Sequence, residues 1–64
     1  MTNIHLIVSD IEKNEAITSE FFPSAEKALE YADQLINRKP VGVIYRFSFF
    51  KGADENPYME TQAM

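Results

Sequence analysis

The sequence predicts an α+β fold of two layers: a three-stranded antiparallel sheet, strand order 2-1-3, with one helix packed on one face. Three observations predict it. Segments near both ends alternate apolar and polar residues with a period of two. Between them lies one segment whose apolar residues recur at spacings of three and four. Pro23-Ser24 and Pro40 mark the passages into and out of that segment.

The first strand is expected over Asn3 to Ser9, where Ile4, Leu6 and Val8 alternate with His5, Ile7 and Ser9. Asp10 to Asn14 is a short polar turn, and Asn14 tolerates the left-handed backbone that ends many hairpin loops. The second strand is expected over Glu15 to Phe22, antiparallel to the first, with Ile17, Ser19 and Phe21 on one parity and Thr18, Glu20 and Phe22 on the other.

Ser24 is a good helix N-cap, and Glu26 suits the positive end of the helix dipole. The helix is expected from Ala25 to about Asn37. Its apolar stripe is Ala25, Ala28, Leu29, Ala32, Leu35 and Ile36, with Tyr31 on the flank. Asn37, Arg38, Lys39 and Pro40 supply the stop: cations at the negative end, then a residue that cannot continue the helix. The third strand is expected over Val41 to Phe50. A helical crossover makes strands two and three parallel in direction, so strand three pairs beside strand one. Residues 1–50 then form the domain. Lys51 to Pro57 is a turn or the start of a tail; Tyr58 to Met64 could add a short edge strand, but a flexible tail is the expectation.

Composition narrows the function. The 64 residues carry a net charge of −4, are 45% hydrophobic and 12% aromatic, and include no cysteine. Disulfides and thiolate metal sites are excluded, and a single histidine argues against a histidine-based one, so neither metal nor cofactor is expected. Catalysis is not expected either. His5 with Ser9 or Ser48 lacks an orienting third group. The carboxylate pairs Asp10/Glu12 and Glu26/Glu30 fall in a turn and on an outward helix face. Gly42 and Gly52 are isolated and make no phosphate-cradling loop. Apolar stretches are too short to span a bilayer. Met1-Thr2-Asn3 carries no basic n-region. A cytoplasmic protein with no membrane partner is expected.

One helix covers one face of the sheet. That covered face is expected to hold Ile4, Leu6, Val8, Ile17, Phe21, Val43, Tyr45, Phe47 and Phe49. The other face then carries His5, Ile7, Thr18, Glu20, Phe22, Ile44, Arg46, Ser48 and Phe50. A purely solvated face reads as Lys, Glu, Thr and Ser. This one mixes apolar side chains with a few charges, as protein-binding surfaces do. The candidate partner-binding residues are Ile7, Ile44, Arg46 and Phe50, with Phe22 and Glu20 at the rim. Net acidity disfavours a phosphate backbone as partner, although a nucleic-acid-binding module using the locally basic stretch Arg38, Lys39, Arg46 and Lys51 is the second alternative. A homodimer with open face on open face is the third alternative.

The hairpin, then Ser24-Ala25-Glu26-Lys27-Ala28-Leu29-Glu30-Tyr31-Ala32, then a last strand, resembles small bacteriophage accessory proteins such as the T7-type inhibitors of bacterial RNA polymerase. The likeness covers roughly residues 4–50 and is one of fold pattern. No functional residue of that family maps onto a position here. The resemblance implies a protein that inhibits a host enzyme or defence complex by steric occlusion, in the host cytoplasm.

Overall fold

A computed structural model describes residues 3–63; Met1, Thr2 and Met64, which enter the readings of the N-terminus and the tail, lie outside the described residues. The chain order is β1 (Ile4–Asp10), β2 (Glu15–Phe22), α1 (Ala25–Arg38), β3 (Tyr45–Lys51) and β4 (Met59–Ala63). The fold class is α+β as expected, but the sheet has four strands, all antiparallel, in the order β2-β1-β3-β4. The expected three-stranded sheet is therefore corrected. Residues 59–63, within the segment expected to be a tail, pair with β3 from Phe49↔Met59 to Tyr45↔Ala63. Gly52, at φ 58, opens the connection, and its N–H donates to the Asn3 carbonyl.

β1 is an interior strand, and its odd and even positions differ in kind. Ile4, Leu6 and Val8 are buried, whereas His5, Ile7 and Ser9 are half-buried on the other face. β3 lies against it in unbroken register, which sets Phe47 opposite Val8 and Phe49 opposite Leu6. These four side chains are fully buried and make the centre of the core. The helix closes it with Ala28 and Ala32, small enough to bring the helix axis close to the sheet. Tyr31 and Leu35 pack at the margin of the same cluster. Leu29 and Ile36, expected in the buried stripe, lie about a quarter turn round the helix and keep 48% and 40% of their surface exposed.

Local chemistry fixes the helix ends. The Ser24 hydroxyl accepts from the Lys27 N–H, and the Lys39 N–H reaches the Ile36 carbonyl. The third strand starts later than expected, at Tyr45 rather than Val41. Val41-Gly42 is a turn in which Gly42 takes φ 90 and the Val43 N–H donates back to the Pro40 carbonyl. Lys39 Nζ also donates to the Pro40 and Val43 carbonyls, so the apolar alternation of Val41 and Val43 precedes the sheet instead of joining it.

The larger correction concerns β2. Its boundaries are as expected, but its two faces are exchanged. The pairing runs Asp10↔Glu15 and Ser9↔Ala16, then steps to Val8↔Thr18, leaving Ile17 as an extra residue in a β-bulge. Beyond the bulge, Phe22 pairs with Ile4 and Glu20 with Leu6, on the helix side; Phe21 pairs with His5 and Ser19 with Ile7, on the open side. An unbroken hairpin closed by Asp10↔Glu15 would have put Ile17, Ser19 and Phe21 on the core side. One inserted residue flips everything after it.

Candidate functional site: the open face of the sheet

The open face is built as rows across the strands. The first row is Phe21 of β2, His5 of β1 and Phe50 of β3. The second is Ser19, Ile7, Ser48 and Glu60. The third is Ala16, Ser9, Arg46 and Gln62. Polarity thus changes along the strands: three rings at one end, a mixed middle, and a polar end containing Arg46.

The aromatic row is ordered by its own contacts. The His5 imidazole stacks on Phe21 with ring centroids 4.3 Å apart and planes 13° apart. Phe50 lies on its other side at 5.8 Å, tilted by 39°. A hydrogen bond of 2.6 Å joins His5 Nε2 to Ser19 Oγ and fixes the ring in its plane. Stacked pairs of this kind contribute about 0.5–1.5 kcal/mol beyond area burial. Phe21 nevertheless remains 63% exposed, the largest apolar surface on this face.

Of the residues expected to bind a partner, Ile7, Arg46 and Phe50 do share the open face. Ile44 lies just before β3, half-buried; its carbonyl accepts from the Ile11 N–H, which prolongs the β1–β3 pairing by one step. Glu20 and Phe22 do not belong to the set. Glu20 is exposed on the helix side of the edge strand, and Phe22 is half-buried with its ring 5.2 Å from Tyr31. Their places are taken by Ser19 and Phe21, which the bulge turns outward. The sequence held one weak signal of this: Phe21-Phe22 offers an aromatic anchor to either parity.

The basic stretch does not converge on this face. Only Arg46 stands on it. Lys39 is bound to backbone carbonyls of the 40–43 turn, and Lys51 sits over the Tyr58 ring at 5.0 Å on the helix side. Nor do the groups of nucleophilic catalysis converge. His5 does meet a serine, Ser19 rather than Ser9 or Ser48, but the imidazole is flanked by Phe21 and Phe50 where a triad has a carboxylate. Among the described residues no group of three His, Cys, Asp or Glu side chains is placed to hold a metal ion, and no helix is long and apolar enough to cross a membrane.

Comparison with protein-family models, with curated proteins and with solved structures finds no match to this chain.

Proposed function

We propose that this protein is a non-catalytic binding protein that occludes a functional surface of a partner protein with the open face of its sheet. The observation that supports it most is the row Phe21–His5–Phe50, preorganised by stacking and by the His5–Ser19 hydrogen bond, with Ile7 beside it. Rigid aromatic anchors beside a polar margin are the usual make-up of a protein interface centre. Arg46, Glu60 and Gln62 supply that margin. The pattern likeness to phage inhibitors favours a host enzyme or defence complex as the partner, met in the host cytoplasm. Net charge −4 and the scattered cations favour a protein over a nucleic acid.

The test is a paired capture from host-cell lysate with the wild type and the Phe21→Ser/Phe50→Ser variant. One stoichiometric protein held by the wild type and lost with the variant, at unchanged circular dichroism, is the expected result. Equal retention by both baits overturns the assignment of the face. Salt-sensitive retention of labelled oligonucleotides, with no protein held, overturns the partner class.

A further inference from the structure

We infer that the outer edge of β4 pairs with the β4 of a second copy of this chain, antiparallel and centred on Thr61. The inference is independent of the proposed binding face, because the edge and the face are different surfaces.

A four-stranded open sheet has two edges, here β2 and β4. Unpaired edges template further strands, and proteins defend them with charges, bulges or coverage. β2 is defended. It carries the bulge at Ala16–Ile17 and the carboxylates Glu15 and Glu20, and α1 packs over the β1–β2 side of the sheet. Among the described residues β4 is defended less: its ladder to β3 has no bulge, and Glu60 is its one charge. Its residues, Met59-Glu60-Thr61-Gln62-Ala63, include no proline and no glycine.

The β4 sequence also fits itself. Antiparallel pairing about Thr61 sets Met59 against Ala63 of the second copy, Glu60 against its Gln62, and Thr61 against its Thr61. No like charges meet. The Gln62 amide can donate to the Glu60 carboxylate, and Thr–Thr is a favourable cross-strand pair. Parity is respected as well. Met59, Thr61 and Ala63 share the helix side of the sheet, and Glu60 and Gln62 the open side, in both copies. The two-fold axis stands perpendicular to the sheet. The result is one eight-stranded sheet with both helices on one side and both aromatic rows on the other. A five-residue edge buries far less than the roughly 1,200–2,000 Å² of a stable interface, so the pairing is weak and concentration-dependent.

The residue at the centre of a two-fold contact meets itself, which gives a specific test. Thr61 is exposed, so Thr61→Lys and Thr61→Glu leave the fold intact, as circular dichroism checks. Sedimentation from about 10 µM to about 1 mM is expected to show dimerisation of the wild type. Each variant alone should dimerise about fivefold more weakly, and an equal mixture about tenfold more tightly than either variant. A wild type that stays monomeric throughout overturns the inference. So does a dimer that ignores both variants, or one that the mixture fails to restore. A dimer lost instead in Phe21→Ser/Phe50→Ser moves the contact to the open faces.

Discussion

β2 and β3 flank the same central strand, and both are rich in phenylalanine, yet they relate to it differently. β3 follows β1 from Ile4↔Lys51 to Asp10↔Tyr45 without a break, and its Phe47 and Phe49 are fully buried. β2 loses register between Val8 and Ser9, and only Thr18 and Phe22 are even half-buried. β3 has a neighbour on each side, and Arg46 and Ser48 mark one parity as outward. β2 is an edge strand with apolar residues on both parities: Ile17 and Phe21 on one, Phe22 on the other. Packing therefore fixes β3, whereas β2 is positioned by its turn, its bulge, the Phe22–Tyr31 contact and, on the open face, the contacts of Phe21 and Ser19 with His5.

The largest expected effect follows from the β3 side of that contrast. Phe49→Ala should cost about 3–5 kcal/mol, the usual range for a buried aromatic truncated in a packed core. A domain of this size has little more than that to lose. Urea denaturation followed by circular dichroism should find the variant mostly unfolded without denaturant. A loss below about 1 kcal/mol would mean that the core does not centre on β3.

The next effect separates the two neighbouring rings of β2. Phe22→Ala removes a ring packed against Tyr31 and the margin of the core, and should cost about 2 kcal/mol. Phe21→Ala removes a mostly exposed ring and should cost under about 1 kcal/mol, while binding through the open face suffers. The reverse order of stabilities would restore the unbroken hairpin and undo the placement of Phe21 beside His5.

This pair also shows how much was legible in the sequence. The faces of β1 and β3 could be read because one parity is apolar from Ile4 to Val8 and from Tyr45 to Phe49, while the other carries His5 and Ser9 or Arg46 and Ser48 beside Ile7 and Phe50. The helix could be read from Ser24, from the Ala28–Ala32 spacing and from the stop at Lys39-Pro40. The placement of Ile7, Arg46 and Phe50 on the open face followed from the strand parity. Two features are not fixed by the sequence, for physical reasons: the bulge, and the choice between tail and edge strand after Tyr58. The bulge depends on how one extra residue is absorbed between turn and helix, and a parity count holds no term for it. β4 is short and mostly polar, and becomes a strand only because β3 offers an unfilled edge; its ladder to β3 is a tertiary fact, not a propensity. Val41 misled for the opposite reason: its local alternation is sound, but Gly42 at positive φ turns the chain before the sheet begins.

A pair of substitutions at Asn14, one of them near neutral, tests whether the turn positions β2. Asn14 closes the β1–β2 connection at φ 54, and Asp10 holds that turn by accepting from the Glu12 and Lys13 N–H groups with one carboxylate oxygen. A left-handed residue costs roughly 1 kcal/mol for a side chain that cannot compensate, and nothing for glycine. Asn14→Ala should therefore lower stability by about 1 kcal/mol, while Asn14→Gly should stay within about 0.5 kcal/mol of the wild type. Amide hydrogen exchange sharpens the comparison. In Asn14→Ala, amides paired between β1 and β2 should exchange through local opening, while those between β1 and β3 should exchange only through global unfolding. Equal acceleration on both sides of β1 would mean that the hairpin and the β3 ladder open as one unit, and that β2 is held by the core after all.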